Sequence, residues 1–154
     1  MMTDWAATTR LSARVTLAEG MVIHGDLHLQ PRVAWRDGPE TPLELLNREE
    51  TFFVMSLPTG EVVFVSKEQV AALLYREVVP EAEPERETVA RHIPLEVMMT
   101  GGAEYRGEAV SELPPARARA LDFLNGRERF FSLHTNEGTC CLNRRFVRAV
   151  RPVS

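Results

Sequence analysis

Hydrophobic and polar residues alternate over several short segments of this chain, which is the pattern of strands that bury one face. The first strand contains Val15 and Leu17, and a turn at Glu19-Gly20 reverses the chain. A second alternating strand runs from Met21 to Leu29, with Gly25 in its middle. A glycine inside a strand marks a bend or a close approach of two backbones. The pattern therefore predicts two antiparallel strands, the second strongly bent.

A short helix and a second pair of strands are predicted next. Proline is favoured in the first turn of a helix, so we expect a helix from Pro42 to Asn47. Two alternating strands follow at residues 51–57 and 61–65. The segment from Val70 to Tyr75 is apolar at every position except its last, as in a strand covered on both faces.

This series of elements then occurs a second time, in the same order. Residues 93–99 and 103–109 predict two strands, Pro115 to Asn125 a helix, and residues 128–135 and 139–142 two more strands. Several separated matches in one order indicate an internal duplication. The matched positions are Val15 with Val97, Gly20 with Gly102, Gly25 with Gly107, Leu46-Asn47 with Leu124-Asn125, Phe52-Phe53 with Phe130-Phe131, Gly60 with Gly138, Ser66-Lys67 with Asn143-Arg144, Val70 with Val147, and Leu73 with Val150.

A segment rich in proline and glutamate separates the two copies. Residues 80–91 hold four glutamates and two prolines, a composition that cannot bury a core, so we predict a linker there. The predicted units are residues 11–79 and 92–152. Residues 1–79 carry seven cationic and eleven acidic side chains, a net charge of −4, whereas residues 92–154 carry nine and seven, a net charge of +2. The two units therefore differ in the sign of their charge.

The size of each unit predicts that the two units pack together. A chain of 154 residues with 44% hydrophobic side chains is long enough for one domain or two very small ones. Units of roughly 60 to 70 residues bury little surface on their own. Small open barrels also leave strand edges that need cover. We therefore expect the last strand of one unit to pair with an edge of the other.

The order of elements resembles the Sm-like fold, a small and strongly bent five-stranded barrel. The resemblance predicts a mainly β protein of two tandem five-stranded Sm-like or SH3-like barrels, each with a short helix between strands 2 and 3, as in bacterial Sm-like domain proteins. It is carried by Val15-Thr16-Leu17, Gly20, Gly25, Leu27 and residues 64–70 in the first copy, and by Val97, Gly102, Gly107 and residues 142–147 in the second. The Asp-x-x-x-Asn loop and the Arg-Gly pair with which Sm proteins bind RNA have no match in this chain, so the resemblance does not imply RNA binding.

Three side chains on the second strand form the weak candidate for a metal site. His24, Asp26 and His28 occupy alternate positions, so all three would lie on one strand face and could reach one ion. The second copy has Arg106 and Glu108 at the first two matched positions, which do not form a metal set. The other interpretation is a solvated sheet face. We therefore predict no metal and no cofactor.

The candidate partner-binding residues are arginines of the second copy and one phenylalanine of each pair. Arginine forks bind phosphate or carboxylate with two parallel hydrogen bonds, so a shared arginine face would hold nucleic acid or an acidic partner. The small positive charge of the second unit is weaker than a nucleic-acid binder usually carries. Exposed aromatic residues favour protein interfaces. The candidates are Arg144, Arg145, Arg148, Arg151, Phe52 and Phe130.

The sequence favours a binding protein over an enzyme, because no catalytic or nucleotide-binding motif is present. The adjacent cysteines, Cys140 and Cys141, are expected to be reduced, with one pointing inward and one outward. A redox role for the exposed thiol is the third hypothesis.

No run of apolar residues is long enough to span a membrane, and the expected location is the cytoplasm. The leading hypothesis is a non-enzymatic accessory protein that docks on protein partners, a larger assembly or a second copy through exposed strand edges. Nucleic-acid binding through the arginines is the alternative.

Overall fold

The computed structural model describes residues 8–76, 91–111 and 120–153. The predicted linker, residues 80–91, lies outside these ranges except for Arg91, and so does the start of the second predicted helix, residues 115–119. Within the described ranges the elements are β1 (Thr9–Leu17), β2 (Val22–Leu29), α1 (Pro42–Asn47), β3 (Phe52–Ser56), β4 (Val62–Ser66), β5 (Val70–Tyr75), β6 (Arg91–Met99), β7 (Glu104–Ser111), α2 (Ala120–Leu124), β8 (Phe130–Thr135), β9 (Gly138–Asn143) and β10 (Val147–Pro152).

The described strands form one antiparallel sheet in the order β10-β6-β7-β8-β9-β5-β1-β2-β3-β4. A mainly β protein was predicted and is confirmed, but two separate five-stranded barrels are not, because the sheet is open and continuous. The two halves join where β5 pairs with β9, in agreement with the expectation that a last strand covers an edge of the other unit. We call β1–β5 with α1 unit 1, and β6–β10 with α2 unit 2. Among the described strands, β4 and β10 stand at the two ends of the sheet.

Helix α1 starts at proline, as predicted, and its first turn is fixed by a capping box. The hydroxyl of Thr41 accepts a hydrogen bond from the Glu44 N–H, and the Glu44 carboxylate accepts one from the Thr41 N–H. The same carboxylate accepts hydrogen bonds from Arg36 and from the Trp35 indole. Burial alone would raise the pKa of Glu44, but these donors lower it to about 2. The Glu44 carboxylate therefore stabilises both the first turn of α1 and the preceding loop, which contains Trp35 and Arg36.

The interior glycines of β2 and β7 lie where a neighbouring backbone comes too close for a side chain. A Cβ atom on Gly25 would lie 2.6 Å from the carbonyl oxygen of Ser56 in β3. A Cβ atom on Gly107 would collide with the carbonyl oxygen of His134 in β8. The prediction of a close backbone approach at the interior glycines is confirmed at both positions.

Two clusters of buried residues form the core, and strands β8 and β9 contribute to both. Phe130 and Cys141 belong to the first cluster, with residues of unit 1 such as Val15, Leu46 and Leu73. The second cluster draws its buried members from unit 2 and from Ala72 of β5. The members of β8 and β9 in the second cluster are Phe131, Leu133, Cys140 and Leu142. Because successive side chains of a strand point to opposite faces, one face of β8 and β9 closes unit 1 and the other closes unit 2.

Candidate protein-docking surface

The junction between β5 and β9 shows how this sheet accepts an additional strand. Four residue pairs define its register, from Ala72 opposite Leu142 to Tyr75 opposite Thr139. The Asn143 side-chain amide donates a buried hydrogen bond of 2.9 Å to the Val70 carbonyl. Gly138 lies so close to the Tyr75 carbonyl that a Cβ atom at position 138 would collide with it. Backbone pairing and one buried side-chain bond therefore join the units.

Helix α1 forms a second connection across the junction. The Asn47 side chain accepts a hydrogen bond of 2.9 Å from the Phe130 N–H and donates one of 3.2 Å to the Phe130 carbonyl. Phe130 itself is completely buried in the core of unit 1. Phe130, a predicted partner-binding residue, therefore makes its contact inside the chain and is not accessible to another molecule.

The face of β3 and β4 in unit 1 that corresponds to the Phe130 face of β8 and β9 is exposed. We call it the outer face: the side chains of Phe52, Val54, Val62 and Phe64 on β3 and β4, which share one side of the hairpin by register. Phe52 is 56% exposed, Phe64 71% and Val62 37%. Their structural counterparts on β8 and β9, which are Phe130, Cys141 and Thr139, are 0%, 0% and 5% exposed. The outer face is therefore exposed because, among the described strands, none pairs with β4 in the way that β5 pairs with β9.

A groove of about 830 Å³ runs along the outer face. Phe52, Val54 and Phe64 form its apolar wall, and Arg32, Arg48 and Glu50 contribute charged groups of both signs. An apolar wall with a few charged groups is the usual composition of a recognition site.

A buried set of charged groups supports the groove from behind. Glu40 is 1% exposed, and its Oε2 lies 3.0 Å from Arg48 Nε. Neither atom has a hydrogen-bond partner in the described residues, so this contact is a Coulombic attraction and not an aligned hydrogen bond. Lys67 is fully buried and donates a hydrogen bond of 3.1 Å to the Arg48 carbonyl. Burial lowers the pKa of Lys67 to about 8. These contacts fix the chain segment between α1 and β3 next to the groove.

The structure separates Arg144 from the other predicted arginines. The Arg144 guanidinium donates to the carbonyls of Phe123 and Leu124 at the end of α2 and lies 5.1 Å from the Phe131 ring centre. Arg144 therefore holds the helix in place. The other three are exposed: Arg145 lies over the Phe146 ring, Arg148 is on β10, and Arg151 is 3.5 Å from Glu96.

The structure does not bring His24, Asp26 and His28 together as ligands for one metal ion. His28 is buried, with Nε2 2.7 Å from the Ser56 hydroxyl and Nδ1 2.9 Å from the Thr8 hydroxyl. His24 is exposed and Asp26 half-buried. In the parts of the chain that the structure describes, no three His, Cys, Asp or Glu side chains are grouped as a metal site requires.

Both cysteines are buried, which corrects the expectation of one exposed thiol. Cys140 and Cys141 point to opposite faces of β9, and both are 0% exposed. Strand alternation predicts one inward and one outward thiol, but the second face of β9 is covered by unit 1. Burial raises the pKa of the Cys140 thiol, and the neighbouring Cys141 adds to this effect. A buried thiol with a raised pKa is a poor nucleophile.

Comparison of the chain with protein-family models, curated proteins and solved structures finds no match. No helix in the described ranges is long and apolar enough to cross a membrane.

The sequence pattern indicates Phe52 as a binding residue but does not single out Phe64, the most exposed large hydrophobic residue of the described ranges. One signal was available, since aligning β4 with β9 pairs Phe64 with a cysteine. A bulky aromatic residue on one copy and a small buried residue on the other indicates that the two positions have different neighbours.

Proposed function

We propose that this chain is a non-enzymatic docking protein that binds a protein partner through the edge of β4 and the outer face. The supporting observation is the exposure of Phe52, Val62 and Phe64 beside the outer edge of β4, which pairs with no other strand in the described part of the chain. A contiguous apolar patch on a protein surface marks an interaction site. An open strand edge recognises a partner by backbone hydrogen bonds, while neighbouring side-chain pockets supply specificity.

The composition of β4 supports pairing at this edge. Exposed edge strands are usually protected by charged residues, proline or a bulge. Residues Val62 to Ser66 contain no charged side chain and no proline. The pairing of β3 with β4 is regular over all five residues, without a shift of register. The edge therefore presents a straight row of backbone groups that a second strand can extend.

The Sm-like assignment of each unit is part of this proposal. Its support is the shared strand order, in which the last strand of a unit lies beside its first and the next three follow. Further support comes from the glycine contacts at Gly25 and Gly107 and from the single 3₁₀ turns, Lys67–Gln69 and Arg144–Phe146, that connect the fourth and fifth strands of each unit. The assignment concerns the fold of the units and does not bring RNA binding with it.

A site-specific photo-cross-linker tests the docking function. Replacing Phe64 by p-benzoylphenylalanine keeps an aromatic ring at the outer face. The matched control carries the same group at Met21, which is 57% exposed beyond the end of β1 and lies outside the outer face. Irradiation in cells that produce the protein should give a protein adduct at residue 64 and none at residue 21. Absence of an adduct at residue 64, or equal adducts at both, would contradict the proposal.

A further inference from the structure

The two units have corresponding grooves, and a side chain of unit 1 lines the groove on unit 2. The groove of about 830 Å³ on the outer face and a groove of about 520 Å³ on unit 2 share lining positions that are 78 residues apart in the repeat. These positions are Leu45 with Phe123, Glu50 with Glu128, Phe53 with Phe131, and Val54 with Ser132. The groove on unit 2 is also lined by Leu43, which belongs to helix α1 of unit 1. An aliphatic side chain from a neighbouring unit therefore contacts the smaller groove, whereas the described residues that line the larger groove all belong to unit 1.

The larger groove also carries a guanidinium group without an acidic partner among the described residues. Arg48 lies 3.0 Å from Glu40 and 3.6 Å from Glu50, and Lys67 lies 4.0 Å from Glu50. Arg48 and Lys67 therefore balance the charges of the two glutamates. Arg32 is exposed and makes no ion pair or hydrogen bond with another described residue. Its charge remains available to a bound molecule.

We propose that the partner segment in the larger groove combines an apolar side chain with the carboxylate of an aspartate or glutamate. The apolar side chain lies against Phe52, Val54 and Phe64, as Leu43 lies against the groove on unit 2. The carboxylate accepts hydrogen bonds from Arg32, because the planar fork of a guanidinium matches the two oxygens of a carboxylate. This inference rests on the proposed function, because it states the chemistry of the protein segment that docks at the outer face.

The shape of the groove favours a protein segment over a small molecule. Phe64 is 71% exposed and Phe52 56%, so both rings protrude into solvent. A pocket for a small ligand encloses most of the surface of that ligand, which a wall of protruding rings does not do. A segment that belongs to a larger protein surface can cover both rings, in the way that aromatic residues are covered at protein interfaces.

The charge around the groove favours an acidic segment, although unit 1 as a whole is acidic. Residues 1–79 carry a net charge of −4, but at physiological ionic strength exposed charges are screened beyond about 8 Å. The charged residues that line the groove are Arg32, Arg48 and Glu50, so two cations and one carboxylate give a local net charge of +1. A basic segment in the groove would bring a second cation next to Arg32. The local charge therefore selects an acidic side chain.

Selection of short random peptides from a phage library tests this chemistry. The library is selected on the wild-type chain, on Arg32→Glu and on Arg148→Glu. Arg148 is the matched control, because it is exposed on β10 of unit 2 and makes no ion pair with a described residue. Peptides enriched on the wild-type chain and on Arg148→Glu should contain hydrophobic residues beside Asp or Glu. Peptides enriched on Arg32→Glu should carry Lys or Arg in place of the acidic residue.

Fluorescence anisotropy then measures the affinity of a synthetic peptide with an enriched sequence. Changing its acidic residue to the amide should weaken binding about 2- to 5-fold, since an ion pair at an exposed site contributes little energy. Phe64→Ser should weaken binding at least about tenfold, because it removes the most exposed ring of the apolar wall. Met21→Ser removes an exposed apolar side chain outside the outer face and should leave the affinity unchanged. If Phe64→Ser loses its far-UV circular dichroism, Phe52→Ser takes its place.

Several outcomes would overturn the inference. They are enriched peptides without an acidic residue, the same peptides on Arg32→Glu as on the wild-type chain, and no enrichment on the wild-type chain. A wild-type chain that sediments as an oligomer while Phe64→Ser sediments as a monomer would place a second copy at the outer face and would also overturn it. The photo-cross-linker at residue 64 separates this failure from failure of the docking function. A protein adduct together with peptides that lack an acid rejects only the chemistry of the segment, whereas absence of an adduct rejects both.

Discussion

The side chain of Asn47 in α1 binds both backbone hydrogen-bonding groups of Phe130 in β8, at 2.9 and 3.2 Å. This relationship connects residues that are 83 positions apart. It ties helix α1 of unit 1 to a strand of unit 2, and it adds to the pairing of β5 with β9.

Replacing Asn47 by alanine should lower the free energy of unfolding by about 1–3 kcal/mol, because the Phe130 N–H loses its bond to Asn47 and the Phe130 carbonyl keeps only the long bond of 3.4 Å from Arg144. The measurement is denaturation by urea. Asn125→Ala is the matched control and should change the free energy by less than about 0.5 kcal/mol, since it removes an exposed side chain without a partner in the described residues. Equal effects of the two substitutions would show that the Asn47 contact is unimportant.

Gly107→Ala should be destabilising by about 1–3 kcal/mol, because the new methyl group collides with the backbone of β8 and the strands must separate. Gly25→Ala should have a similar effect, since its Cβ would lie 2.6 Å from the Ser56 carbonyl. Thermal unfolding of each variant measures the loss. Glu108→Ala, an exposed neighbour on β7, is the control and should leave the midpoint nearly unchanged. A glycine variant as stable as the wild type would contradict the close approach.

Glu44 should make stability dependent on pH in the acid range. Its pKa is lowered from 4.5 to about 2 in the folded chain, so the folded state favours the carboxylate. The resulting stabilisation is present above pH 4.5 and is lost as the pH falls towards 2. Glu44→Gln should therefore be less stable than the wild type at neutral pH, and the difference should shrink towards pH 2. Urea titrations over this range measure it, with Glu49→Gln as an exposed control; a difference that does not depend on pH would contradict the role of the carboxylate.

Neither cysteine should react with a thiol reagent while the chain is folded. Cys140 and Cys141 are completely buried, and burial raises the pKa of Cys140, so the reactive thiolate is scarce. Incubation with Ellman's reagent should label no thiol in buffer and two per chain in guanidinium. Rapid labelling of one thiol in buffer would instead support the redox hypothesis for an exposed cysteine.

Local chemistry made much of the fold predictable. Alternation located the strands, Pro42 set the start of α1, and Gly25 and Gly107 marked the positions where strands approach closely. Each of these features can be recognised from a short run of consecutive residues. The same reasoning could not separate Phe52 from Phe130, because the two lie in equivalent strands with similar neighbours in sequence.

Phe130 is buried because unit 1 covers its face of β8, whereas Phe52 lies on a face of β3 that is exposed. Local patterns in the sequence were enough to predict a mainly β chain and the order of its elements. The pairing of β5 with β9 follows from the folded arrangement, and it is this pairing that buries Phe130 and both cysteines while Phe52 and Phe64 remain exposed. The physical reason is that alternation assigns a side chain to a face of a strand, whereas burial depends on what covers that face, and here the cover comes from the other half of the chain.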